Sequence, residues 1–303
     1  MNCPICDNDR DSRIVKSFFP KFYYCLNCAG HFLREDSAPE YAEDYYELES
    51  RNLLSKSITR AIRAFFLRAR FKKVKLILKD IPNSAVLDYG CGPGNFVKYA
   101  LKKNLKISGY ESSKSAVRLA KENSLPVHDS VVIAQSKYDL ITFWGSLEHA
   151  DNPKDIVIKC RDYLKEGGKL LIALQNADSF EARLAKEKWF HYDYPYHRIQ
   201  FTPVALKKML EQNGYEINSF DFFFPEYTIS GLIQTFLNFL FPKNAFYYAV
   251  SNRRLSAGRA KTIFISLFSL LSLLVFSPIL LLFFLLALVF KKTGAMVVLA
   301  KKA

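Results

Sequence analysis

The sequence predicts an α/β protein centred on a doubly wound, mostly parallel sheet, with a small cysteine-rich unit before it and an apolar insertion near its end. Three observations carry that prediction. From residue 84 onward, short apolar runs alternate with helical patterns. The first run reaches Val86-Leu87-Asp88-Tyr89 and breaks into Gly90-Cys91-Gly92-Pro93-Gly94-Asn95-Phe96, a tight glycine turn that opens a helix. Two Cys-x-x-Cys pairs lie near the start of the chain, and Thr262 to Phe290 carries no charged residue.

The 303 residues allow one large domain with attachments, or two domains. A formal net charge of +14, with a pI near 9.4, favours anionic partners: nucleic acid, an acidic membrane face or phosphorylated substrates. Met1-Asn2-Cys3-Pro4 leads into a cysteine pair rather than a basic and then apolar export signal. Metal or thiol chemistry is therefore expected in preference to disulfides.

Residues 1–34 read as a zinc ribbon. Cys3, Cys6, Cys25 and Cys28 have the spacing of a four-sulfur tetrahedral site, with Phe18, Phe19, Phe22, Tyr23 and Tyr24 as a mini-core too small to stand without metal. Four cysteine ligands leave no open coordination position, which points to a structural Zn2+. The alternative is a redox dithiol. Residues 35–80 read as a linker and a basic amphipathic helix. The linker, 35–50, is acidic and tyrosine-rich. In 52–79, Ile58, Ile62, Phe65, Phe66 and Ala69 recur at helical spacing among Arg60, Arg63, Arg68, Arg70, Lys72, Lys73 and Lys75. Such a helix packs on the next domain with a solvated basic face, lies on a membrane surface, or contacts nucleic acid.

Strands are expected at 84–89, 106–111, 126–128, 138–144 and 168–175, and helices at 94–104, 113–123 and 153–165. Ligands of such sheets sit beyond the carboxyl ends of the strands. A dinucleotide fingerprint needs a glycine where Asn95 stands, and a P-loop needs a Gly-Lys-Ser/Thr that is absent. A carboxylate such as Glu111, which ends the second strand, is acceptor-only and can take two donors.

The pattern Asp88-x-Gly90-x-Gly92-x-Gly94, with Glu111 ending the next strand, resembles the class I S-adenosylmethionine-dependent methyltransferases. Lys137-Tyr138-Asp139-Leu140-Ile141 looks like that family's fourth strand. Trp144-Gly145-Ser146-Leu147-Glu148-His149-Ala150-Asp151-Asn152-Pro153 resembles quinone O-methyltransferases and bacterial sugar methyltransferases. The resemblance covers about 81–228 and implies a seven-stranded sheet with an antiparallel last strand. It places Asp88, Gly90, Gly92, Gly94 and Trp144 around S-adenosylmethionine, Glu111 on both ribose hydroxyls, and Asp129 near the adenine amine.

A methyl donor that carries its own leaving group leaves the protein mainly to align nucleophile, methyl and sulfur. An oxygen nucleophile benefits from a nearby base. His149, after the fourth strand, and His197, in the aromatic segment Trp189 to Pro203, are the candidates; either could instead make a structural hydrogen bond. Glu148, His149 and Asp151 could also hold a divalent ion.

Residues 214–224 read as the sixth strand and 294–302 as the seventh, so 229–292 is an apolar helical insertion and 293–303 completes the sheet. A straight helix over 262–290 would run about 44 Å at roughly 1.5 Å per residue, enough for a bilayer. One crossing would put the last strand on the wrong side of the membrane. Ser277-Pro278 divides the run. The expectation is a re-entrant hairpin at 262–290, with the Lys/Arg flanks on the cytoplasmic face of the plasma membrane.

The combined reading is a membrane-attached methyltransferase. Its expected acceptor is lipid-linked or amphipathic: first a sugar on a lipid-linked glycan or surface-polysaccharide intermediate, then a prenylated quinone or lipid phenol. The rival from another class, a non-catalytic nucleic-acid-binding module, is disfavoured by the intact Asp88–Gly94 and Glu111 constellation.

Overall fold

The computed structural model describes residues 2–34, 53–130, 138–251 and 259–303. The tyrosine-rich segment 35–50 and the basic pair Arg253 and Arg254 lie outside them. The first small sheet holds β1 (Ile14–Lys16), β2 (Phe22–Cys25) and β3 (His31–Leu33). Helix α1 (Leu53–Ile77) follows, then β4 (Ala85–Tyr89), α2 (Asn95–Leu101), β5 (Lys106–Tyr110), α3 (Lys114–Glu122), β6 (Val127–His128) and β7 (Tyr138–Trp144). Next come α4 (Pro153–Tyr163), β8 (Leu164–Gln175), α5 (Phe180–Ala185), β9 (Ile199–Gln200), α6 (Pro203–Gln212) and β10 (Tyr215–Asp221). The chain ends in α7 (Pro225–Leu240), α8 (Ala245–Ser251), α9 (Arg259–Val289) and β11 (Ala295–Lys302).

The large sheet has seven strands in the order β10-β11-β8-β7-β4-β5-β6. The pairs from β8 to β6 are parallel, whereas β11 runs antiparallel to both β8 and β10. This is the expected doubly wound methyltransferase sheet. Its central strands are apolar on both faces because helices cover both sides. Leu87, Leu140, Ile141 and the run Leu170 to Leu174 are all buried. Local chemistry starts the helices where the sequence asks for it. Ser113, Asn152, Ser179 and Thr202 each accept a backbone N–H of their helix's first turn, with Pro153 and Pro203 at the first helical position.

The cysteine unit is built into the core rather than hung from it. Strand β3 pairs antiparallel with β9, His31 opposite Gln200 and Phe32 opposite Ile199, so one four-stranded sheet runs β1-β2-β3-β9. Fully buried Phe19 stacks on Trp189, with centroids 5.7 Å apart, and lies beside Tyr192. Tyr192 donates to the Pro20 carbonyl at 2.6 Å, and the Thr202 hydroxyl donates to that of Ala29 at 2.9 Å. A unit this small gains its apolar burial from its neighbour.

The end of the chain departs from expectation in one respect. Helix α9 is continuous from Arg259 to Val289 with Pro278 inside it, so there is no hairpin. The missing Pro278 N–H would have bonded the Leu274 carbonyl, and the Ser277 hydroxyl takes that acceptor instead at 2.8 Å. The serine heals the defect that its proline makes. By length and composition α9 could cross a membrane, and few of its side chains are buried. Helix α1 takes the first of the forms expected for it over its later half. Its later half packs Leu67, Phe71 and Val74 on the sheet, while Ile62 and Phe65 stay exposed among Arg60 and Arg63.

Phe19→Ala empties the joint between the two sheets. It is expected to cost about 3–5 kcal/mol in denaturant unfolding. A loss below about 1 kcal/mol would mean that the cysteine unit is not held by this contact.

Candidate active site

Three strand ends converge. Strand β4 ends at Tyr89, and Gly90, Gly92 and Gly94 all take positive φ, which only glycine adopts without strain. The turn is also crowded. A Cβ on Gly90 would lie 2.5 Å from the Ser146 Cβ, and one on Gly94 would lie 2.9 Å from Leu125. Ser146 donates to the Tyr89 carbonyl at 2.7 Å, which clamps the turn after β7 to the turn after β4.

Glu111 sits at the end of β5 and is buried. Its Oε2 accepts the Gly92 N–H at 2.8 Å and its Oε1 accepts the Ser113 N–H at 2.9 Å. The Ser112 hydroxyl also donates to Oε1, at a long 3.4 Å, so of the carboxylate's roughly four lone pairs one stays free and a second is held only by a hydroxyl that can turn away. Thus the same side chain fixes the glycine turn and can accept two hydroxyls. Asp129 is exposed just past β6, immediately after His128, whose carbonyl accepts the Glu111 N–H.

Asp88 is buried, with the Thr142 hydroxyl donating to it at 2.8 Å. Burial pushes its carboxyl up to about 6 against the opposing pull of Arg70 and Thr142. Arg70 is the residue that sequence reasoning missed, because it reads there as one cation among many on a basic helix. The fold buries it: it makes a paired contact with Glu226, at 2.8 and 2.6 Å, and lies 5.2 Å above the Trp144 ring. Trp144 ends β7 between Phe96 and Phe224, and its indole N–H has no partner among the described residues.

The second cluster lies beyond β7 and β8. His149 and His197 meet edge to face, with centroids 4.6 Å apart. Ligand atoms of Glu148, His149 and His197 all lie within 4.8 Å of one another, a set that could hold a metal ion. Asp151, expected as a ligand, is instead largely exposed and accepts from Arg198 at 2.7 Å. His197 Nδ1 lies 2.9 Å from the His191 carbonyl, and His149 Nδ1 lies 3.0 Å from that of Tyr196, so each imidazole is oriented by backbone. Burial pulls both histidines down to about 3. The same burial pushes Glu148 up to about 8, and its Oε2 has no hydrogen-bond partner among the described residues. Of these three groups, burial moves the carboxyl toward neutral pH and the two imidazoles away from it.

The cysteine cluster was expected from spacing and its geometry agrees. Sγ atoms are 3.7 Å apart for Cys3–Cys28 and 3.8 Å for Cys6–Cys25. A tetrahedron with metal–sulfur bonds of about 2.3 Å has edges of about 3.8 Å, so the four sulfurs fit one tetrahedral ion.

A parallel sheet closed by an antiparallel seventh strand, with a glycine turn and an acid at neighbouring strand ends, defines a class I S-adenosylmethionine-dependent methyltransferase. The sequence model of the family described as "Methyltransferase domain" matches residues 58–219, and the chain belongs to that family. It is 28% identical over 120 residues to an uncharacterised protein of Methanocaldococcus jannaschii, covering 38% of this chain and 57% of that one. It is 25% identical over 118 residues to a ubiquinone biosynthesis O-methyltransferase of Alkalilimnicola ehrlichii, covering 35% and 48%. The chain thus spans about half the length of the curated relatives it matches. Among solved structures, a protein assigned as a sarcosine dimethylglycine methyltransferase of Galdieria sulphuraria superposes with a TM-score of 0.51 at 11% identity, covering 78% of this chain and 85% of that one. That likeness is one of fold.

The raised Glu148 pKa carries a sign. Native Glu148 holds a proton that the unfolded chain has lost between about pH 4.5 and 8. Its contribution to stability is therefore full below the unfolded pKa and lost as pH rises through about 8. Glu148→Gln removes that loss. The variant's stability relative to wild type is expected to rise from pH 5 to pH 8 in urea melts without added divalent cations, by at most about 1.4 kcal/mol per unit. The two histidines titrate alike in both proteins and cancel. A difference that is flat with pH would place Glu148 in contact with solvent or a cation.

Proposed function

We propose that the protein O-methylates a hydroxyl on the head group of a membrane-resident acceptor, first of all a sugar of a lipid-linked glycan or surface-polysaccharide intermediate, at the cytoplasmic face of the membrane. One observation carries this reading. The whole apolar insertion leaves the sheet after Asp221 and returns at Ala295, opposite Gln175, so both its ends lie at the carboxyl edge, where the glycine turn and the histidine pair also lie. A sugar is supported by the polar lining beyond β8, where Gln175, Asn176, His197 and Gln200 are buried together and the Gln200 carbonyl has no partner among the described residues. The second reading, a prenylated quinone or lipid phenol, is favoured by the names of the ubiquinone biosynthesis relatives.

S-adenosylmethionine supplies a methyl group on a positively charged sulfur. The chain's own work is to hold and to orient. Glu111 accepts the ribose hydroxyls while it pins Gly92. Arg70 faces the donor's carboxylate, and the glycine turn allows close approach of the backbone. Asp129 stands on the adenine side. Glu148, in its ionised form, accepts the acceptor's proton directly or through His149 and His197. The two imidazoles are too weakly basic to hold a proton themselves at neutral pH. Cys3, Cys6, Cys25 and Cys28 hold a structural Zn2+ that fixes β3 and, through it, the β9 segment that carries His197.

Calorimetry with S-adenosylmethionine tests the donor site. Glu111→Ala and Arg70→Ala are each expected to weaken binding about 10- to 100-fold, the worth of a charge-assisted hydrogen bond. Wild-type affinity in both would remove the assignment. Transfer of labelled methyl to membrane extracts, followed by mild acid release of glycans, separates the two acceptors. Label that stays in the lipid-phenol fraction would select the quinone.

A further inference from the structure

We propose that α9 does not cross the bilayer but lies in its interface, seated by one stripe on the protein and by the rest in lipid. The membrane-resident acceptor proposed above would then be met without leaving the bilayer. This inference rests on that reading for the acceptor alone.

The first observation is the way α9 packs. Its buried or half-buried positions, among them Ile265, Ser269, Leu273, Phe284 and Ala287, fall on one helical stripe. Along that stripe Phe276 meets Phe236 of α7 at 5.3 Å, and Phe284 meets Phe223 at 6.0 Å. Phe290, just past the helix, meets Phe180 at 6.0 Å. A spanning helix would touch the domain at one end only. The other faces are apolar and open, with Leu267, Leu274, Leu282 and Val289 each more than half exposed.

The second observation is that both ends of α9 are fastened to the same body. Its carboxyl end runs into β11, paired on both sides within the large sheet. Before its amino end, α8 is bonded to α7 by Tyr247 N–H to Gln234 at 2.8 Å and Asn244 N–H to Asn238 at 2.7 Å. Helix α7 is bonded to the core by Phe190 N–H to Thr235 at 3.0 Å and Asn238 to the Lys188 carbonyl at 2.8 Å. The eight peptide links between Ser251 and Arg259 reach at most about 28 Å when fully extended. A return path through roughly 30 Å of hydrocarbon would be too long and would leave its backbone groups unpaired.

The third observation is charge. Helix α8 packs between α1 and α9. On α1 the exposed Ile62 and Phe65 alternate with exposed Arg60 and Arg63. An apolar centre flanked by cations fits an anionic bilayer surface. It does not fit a second copy, because the chain's net charge is +14 and the facing helix offers no carboxylate.

The test uses the full chain, reconstituted with vesicles of phosphatidylcholine containing a quarter phosphatidylglycerol. Tryptophan is placed at Leu267→Trp, Leu274→Trp, Leu282→Trp and Val289→Trp, one at a time, and quenched by lipids brominated at shallow or deep acyl positions. Native Trp144 and Trp189 are buried and give a constant background. All four sites are expected to respond to the shallow bromines to the same extent. Arg60→Ala with Arg63→Ala should lower vesicle binding about 10-fold at this lipid charge and leave binding to pure phosphatidylcholine unchanged. Deep quenching at Leu274→Trp with shallow quenching at Val289→Trp would establish a span and overturn the proposal while leaving the membrane reading intact. No flotation with either vesicle, with S-adenosylmethionine still bound, would overturn both. A soluble dimer whose four tryptophans are shielded in the absence of lipid would assign the face to a second copy and overturn the proposal.

Discussion

Strand β11 must enter the large sheet between β8 and β10, antiparallel to both, and everything after residue 221 answers to that requirement. The strand supplies backbone partners to two neighbours and buries Met296, Val297 and Val298 one strand in from the sheet's edge. It cannot be moved without opening the sheet. The chain that precedes it is therefore a closed loop on one edge of the domain, however long and however apolar. A hydrophobic segment of spanning length is normally free to cross a membrane. Here the loop closure removes that freedom.

The same closure orders the active site. Helix α7 begins three residues after β10 and covers the carboxyl edge. Tyr227 closes on Gly145, whose Cβ position lies 2.8 Å from the tyrosine oxygen, and Glu226 takes Arg70 from α1. Without that glutamate Arg70 would be a largely buried cation left with the Tyr227 hydroxyl at 3.4 Å and the face of Trp144, a costly arrangement. With it, one charge of a basic helix is fixed over Trp144 at the end of β7. The first turn of α7, just before the apolar insertion, thus packs on the strand ends that carry the glycine turn.

How much of this was legible follows from where each constraint resides. The glycine turn, the acid at Glu111, the four cysteines and the last strand are local patterns with a local physical cause, and the fold keeps them where the sequence puts them. Histidines 149 and 197 were legible as candidates. Their meeting was not, because it depends on β9 pairing with β3, two short strands with no periodicity of their own. The helix break expected at Ser277-Pro278 does not occur for a local reason: the serine before the proline serves the carbonyl that the proline's missing N–H leaves free. Arg70 could have been found from its place four residues after Phe66 and eight after Ile62, on the same helical face, where a cation is out of pattern, but its partner Glu226 is defined only once α7 is in position.

The pocket of Glu148, His149 and His197 follows from the same packing. The turn after β7 and the segment leading into β9 hold these groups: the Arg198 N–H donates to the Glu148 carbonyl at 2.8 Å, and the Tyr196 carbonyl lies 3.0 Å from His149 Nδ1. Exclusion of water acts in opposite directions on the two chemistries, because it disfavours the charged form of each. The histidines become neutral and poorly basic, while the carboxyl becomes neutral and its pKa rises toward working pH. One packing constraint thus sets the protonation of all three groups, and it draws the carboxyl and the imidazoles apart rather than together.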